Sequence, residues 1–172
     1  MSVALTLCLG LLLGQDAASQ SRSARHAGRY LEALEHAARV GEPSERSLLL
    51  VEARYHGGDM GGALSEARDG LEHAPGDRNL LFYAARIALD LRVSELAEDA
   101  VERLGVAVQD APLGDDVSAA WRGTAEGFSE ELAHLLDAEE QRVAATRRAR
   151  WVGLGGVLAT AFGALALLLR RS

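Results

Sequence analysis

Apolar residues recur at helical spacing through more than a hundred residues after Gln20, and no stretch alternates as a strand would. That regularity confines the chain to an all-α fold. Glycine and proline then cut it into pieces, at Gly28, at Gly41-Glu42-Pro43, at Gly57-Gly58-Asp59 and at Pro75-Gly76-Asp77, with a further turn near Arg92. The pieces read as helices. A short one covers about Ser21 to His26, and Tyr30 to Val40 follows with Leu31, Leu34 and Ala38 on one stripe. Ser44 caps the next, which reaches about His56 through Leu48, Val51 and Tyr55, and Met60 to Ala74 forms another. Asp77 caps a helix through Leu81, Ala84, Ala85 and Ala88, and Ser94 caps one through Leu96, Ala97, Ala100 and Leu104. Aromatics are only 5% of the residues while glycine and alanine are plentiful, which suits closely packed helices better than a sheet.

The helices come in pairs. Ala63 and Ala97 lie 34 residues apart, each early in the second helix of its pair. On these residues the chain resembles the tetratricopeptide repeat (TPR) family. The best repeat starts near Ser44, and its Leu50, Ala53, Gly58-Asp59, Ala63 and Pro75 stand where the family has packing residues, inter-helix turn and closing proline. The next, from about Arg78 to Ala111, keeps Ala85 and Ala97 without the turn glycine. An earlier half-repeat shows as Gly28, Tyr30, Ala33 and Pro43, with Ala33 30 residues before Ala63. The family's usual aromatic is absent at Ser47, so a generic stack of helical hairpins is the alternative.

The resemblance spans residues 20–110 and implies a short solenoid, because one pair cannot bury its apolar stripe alone. It also implies a groove lined by the first helix of each pair. Glu45, Glu52 and Tyr55 from one repeat, and Asn79, Phe82, Arg86 and Asp90 from the next, would face it. Aromatics with mixed charge suit a protein or peptide partner, while packing of Tyr55 and Phe82 between repeats is the competing reading. Residues 111–150 read as a capping and juxtamembrane helix. It starts at Asp115-Asp116, with Val117, Trp121, Ala125, Phe128, Leu132 and Leu135 on one face and a polar second half from Asp137.

Two apolar stretches bear on the membrane. Trp151 to Leu169 holds 19 uncharged residues, about 28 Å of helix, between arginine-bearing flanks, and is predicted as a single transmembrane helix ahead of a short tail, 170–172. Its Gly155, Ala159 and Gly163 form a small-residue row suited to another membrane helix or a second copy. Residues 1–19 resemble a signal peptide, with Val3 to Leu13 apolar and Ala17-Ala18-Ser19 as the cleavage site; a buried first helix is the alternative. The leader places the body outside the cytoplasm, although the arginines preceding the anchor favour the reverse.

Charge and side-chain chemistry narrow the function. From Gln20 to Gln141 there are 24 acidic and 12 basic residues, a formal −12, which opposes binding to nucleic acid. All 18 basic residues are arginine. The five histidines, His26, His36, His56, His73 and His134, make no i, i+4 pair, and Cys8 is the single cysteine, so no metal site is predicted. Gly57-Gly58 and Gly61-Gly62 follow no strand and precede no lysine, so no phosphate loop or other cofactor site is predicted. No catalytic residues are identified and enzymatic activity is not expected. The sequence therefore predicts an all-α protein: a short TPR-like helical-hairpin solenoid followed by a long helix continuing into a transmembrane helix. Its expected role is a membrane-anchored interaction scaffold or assembly factor of the cell envelope. The alternative is an accessory sensor passing ligand binding to a membrane partner.

Overall fold

The computed structural model describes residues 16–109 and 116–169, with side chains to residue 147. Seven helices occupy them: α1 (16–26), α2 (Tyr30–Ala37), α3 (Pro43–His56), α4 (Met60–His73), α5 (Arg78–Leu91), α6 (Ser94–Gln109) and α7 (Asp116–Leu169). The all-α reading holds, and the packing is compatible with a helical repeat. The chain divides into two compact units, Met1–Leu132 and Ala133–Ser172.

In the first unit α1/α2, α3/α4 and α5/α6 are helical hairpins closed by one turn used three times. Gly28, Gly58 and Arg92 take the left-handed conformation, at φ of 73°, 84° and 56°. The residue after each donates its backbone N–H five residues back, Arg29 to Ala24, Asp59 to Arg54 and Val93 to Ala88, every bond 2.9 Å. This is the Schellman arrangement, which satisfies carbonyls left open at a helix end and favours glycine at the left-handed position. The third turn keeps the geometry without the glycine, so Arg92 holds the position 34 residues beyond Gly58. Four residues after each turn's hydrogen-bonding residue come Ala33, Ala63 and Ala97, all fully buried. An alanine there lets the second helix of each hairpin lie close against its neighbours.

Local chemistry sets the helix starts. Asp77 caps α5 as its sequence position predicts, accepting from the N–H groups of Asn79 and Leu80. Asp59 caps α4 by accepting from Gly62. For α3 the expected Ser44 cap is corrected. Glu42 holds that place, accepting from the N–H groups of Ser44 and Glu45, with Pro43 as the first helical residue, where a missing N–H costs nothing. Ser94 likewise lies inside α6.

The main core joins Val51, Ala63, Ala67, Leu80, Leu81, Ala85, Ile87, Ala97, Leu104 and Val108 with Ala125 and Phe128 of α7. Gly70 of α4 is part of the fit, since a Cβ there would stand 2.7 Å from the Ser47 Cβ and 2.9 Å from a Leu80 methyl. Two alanine-rich clusters complete the unit. Ala24, Ala33 and Ala53 form one; Ala17, Ala18, Ala37, Val40 and Leu49 form the other. The stripe expected on α2 is corrected, because Leu31 is 80% exposed and the buried face is Ala33 and Ala37. Helix α1 begins earlier than the sequence predicts, and the Ser21 hydroxyl donates to the buried Ala33 carbonyl at 2.9 Å. Residues 16–19 of the predicted leader are thus helical, with Ala17 and Ala18 in the core. The rest of the leader, the 110–115 connection and the 170–172 tail lie outside the described residues.

The transmembrane part of the predicted fold is corrected: among the described residues no helix is long and apolar enough to cross a membrane. In α7 the residues with described side chains carry a charge in almost every turn, at Asp116, Arg122, Glu126, Glu130, Glu131, Asp137, Glu139, Glu140, Arg142 and Arg147. Such spacing leaves no uncharged run of spanning length there. The surroundings of Gly155, Ala159 and Gly163, predicted for membrane contact, lie outside what the structure describes. In the second unit, residues 133–147 are solvent-facing apart from a half-buried Leu135, and Gln141 donates to Asp137 four residues earlier at 2.9 Å.

Candidate interaction face

The seven residues predicted for the groove all lie on α3 and α5, the first helices of the second and third hairpins. The structure spreads them over three successive seams. At the first, Arg22 and Arg25 of α1 meet Glu45 and Glu52 of α3, at 2.7 and 3.3 Å. At the second, the Tyr55 ring of α3 meets Tyr83 of α5 edge-on, centroids 5.5 Å apart. At the third, Phe82 stacks on Phe128 of α7 at 5.4 Å and meets Trp121 edge-on at 6.0 Å. Beside it Arg86 holds Asp90 at 2.6 Å and reaches Glu131 at 3.2 Å. Six of the seven therefore have partners within the chain. The seventh, Asn79, is exposed and uses its backbone N–H on the Asp77 cap.

These contacts follow from local structure. Residues 82 and 86 share one face of α5 because they are one turn apart, and Asp90 extends that row another turn. Trp121, Ala125, Phe128 and Leu132 share one face of α7 by the same rule and enter the core of α5 and α6. Bidentate contact with Asp90, reinforced by Glu131, raises the Arg86 pKa and fixes its charge.

Between α3, α5 and the start of α7 the seams leave a concavity of about 490 Å³. Glu52, Asn79, Phe82, Tyr83, Asp116, Val117, Ala120, Trp121 and Thr124 line it. Three of the predicted groove residues, Glu52, Asn79 and Phe82, come together there, whereas Glu45, Tyr55, Arg86 and Asp90 do not reach it. The groove prediction lacked Asp116, Val117, Ala120 and Thr124 of this lining, and the aromatic pair Tyr83 and Trp121. The signal that points to that pair is density: Tyr55, Phe82, Tyr83, Trp121 and Phe128 are five of the chain's eight aromatic residues, and all five touch in one run. Burial pushes the Tyr83 hydroxyl's pKa up, with Glu52 adding to the shift and Arg25 opposing it, so Tyr83 offers a neutral phenol.

Among the described residues no group of three or more His, Cys, Asp or Glu could hold a metal ion. Comparisons with protein families, with curated proteins and with solved structures find no match to this chain.

Proposed function

We propose that the chain is a short TPR-like scaffold that docks a partner polypeptide on the face built by α3, α5 and the start of α7. The observation that carries this reading is the 490 Å³ concavity, where a half-buried aromatic wall meets polar side chains at the surface. Aromatic anchors ringed by polar groups are typical of polypeptide recognition. The three left-handed turns, with Ala33, Ala63 and Ala97 following them, support the TPR-like part of the reading.

The test uses the full chain as bait, with Asn79→Arg and Thr124→Arg together as the comparison. Both residues line the concavity, and neither side chain belongs to the core, so the pair fills the site and spares the fold. Phe82 and Arg86 are unsuitable for this purpose because they hold α7 in place. A partner enriched on wild type and lost on the double variant, at equal helical content by circular dichroism, supports the docking face. Equal retention on both baits eliminates it.

A further inference from the structure

The lining of the same concavity is one-sided in charge. Glu52 and Asp116 contribute carboxylates, and none of the nine lining residues is basic. Three other concavities among the described residues each carry arginine beside their acids: Arg122 in one, Arg29 and Arg54 in another, Arg68 and Arg103 in the third. Their linings carry formal charges of −1, 0 and −1, against −2 here. Here Glu52 is shared with Arg25, both only 17% exposed, whereas Asp116 is exposed and forms no ion pair among the described residues. Phe82, Tyr83 and Trp121 line the same concavity, with the Phe82 ring 5.2 Å from Tyr83 and 6.0 Å from Trp121.

We infer that this concavity receives the side chain of an arginine from a partner polypeptide, its guanidinium lying against the aromatic wall and pairing with Asp116. The inference rests on the docking role proposed above and names its chemistry. A planar, weakly hydrated cation suits an aromatic surface better than a compact ammonium, and a guanidinium fork matches a carboxylate. Asn79 and Thr124 add polar atoms at the same wall. The surrounding formal charge of −12 over residues 20–141 draws a basic segment toward the face without selecting where it lands. Selection comes from the wall.

The probe is a blocked Gly-Gly-Arg-Gly-Gly peptide titrated into the full chain by NMR, against the same peptide with citrulline, which keeps the shape and loses the charge. The arginine peptide should bind about fivefold or more tightly, shifting the Trp121 indole and Tyr83 ring signals. Asp116→Asn should remove most of that preference. Glu98→Gln, an equal charge change at an exposed position of α6, should leave it intact. Equal binding of the two peptides, equal effects of the two substitutions, or a silent Trp121 would overturn the inference. The two readings fail separately. A partner lost on the Asn79→Arg, Thr124→Arg bait but retained by Asp116→Asn overturns the arginine assignment and leaves the docking face standing. A partner held by every bait removes the docking face itself.

Discussion

The seam between the first two hairpins and the seam between the third hairpin and α7 are closed by different means. Ala24, Ala33 and Ala53 meet at the first, flanked by the Arg22–Glu45 and Arg25–Glu52 pairs. At the second, Phe82 packs with Trp121 and Phe128 at the edge of the main core, flanked by Arg86–Glu131. Alanine removes little area per residue, so the first seam depends on how closely its helices approach. An aromatic side chain buries about 150–250 Å² and holds its seam by area. Small seams should therefore suffer from added volume, and aromatic seams from lost volume.

Phe128→Ala tests the area side of this contrast and should have the largest effect, about 3 kcal/mol, read as a lower urea midpoint. A loss below about 1 kcal/mol would mean that α7 adds little to the core, and the contrast would collapse. Ala33→Leu tests the other side, costing about 2 kcal/mol by overpacking a position with no exposed surface. If Ala33→Leu instead stabilised the chain, the alanine seam would be loosely packed.

The turns carry a smaller contrast of opposite sign. At Gly58 a side chain must enter the left-handed region, so Gly58→Ala should cost about 1 kcal/mol. Arg92 already bears that strain. Arg92→Gly should be neutral to stabilising by about 0.5 kcal/mol, once the greater freedom of glycine in the unfolded chain is subtracted. Matching thermal melts that moved both variants in the same direction would refute the equivalence of the two turns.

The smallest effect lies in the acid limb. The Glu45 N–H, followed by the Ser44 groups, holds the Glu42 carboxyl below the ordinary range. The Gly62 N–H and Arg54 do the same for Asp59. A carboxyl with a lowered folded pKa gives stability that is complete above its unfolded value, near pH 4, and lost as pH falls through the folded one. Glu42→Gln with Asp59→Asn should therefore reduce stability at neutral pH and flatten its decline below about pH 4. An acid transition as steep as that of the wild type would show that neither cap is linked to folding.

Much of this architecture was legible locally. The breaks at Gly28, Gly57-Gly58 and Pro75-Gly76 fall between helices, and Asp77 caps α5, because turn and capping chemistry act within a few residues. Leu31 shows where periodicity misleads. Helix α2 has eight residues, too few to separate two candidate faces, and the smaller alanine face won because α1 and α3 press close against it. The Glu42 cap is not legible locally because glutamate is not a usual N-cap residue; Pro43 beside it sets where α3 begins. The membrane span rests on the length of the uncharged run 151–169 between arginine-bearing flanks, and no helix among the described residues is long and apolar enough to cross a membrane.

The seven predicted groove residues lie on α3 and α5, and their surroundings come from distant segments. Spacing alone placed Phe82 and Arg86 on one face of α5. It did not reveal that Phe128, Trp121 and Glu131 occupy that face, 39 to 49 residues later in the chain. Sequence by itself determined the helices, their turns and the charge of the surface, since each depends on residues within one or two turns of one another. Only the tertiary structure decided which stripe is buried, which pairs close the seams and where a concavity with carboxylates and no arginine remains. Those outcomes depend on side-chain volumes and charges from distant segments fitting together, which no local pattern encodes.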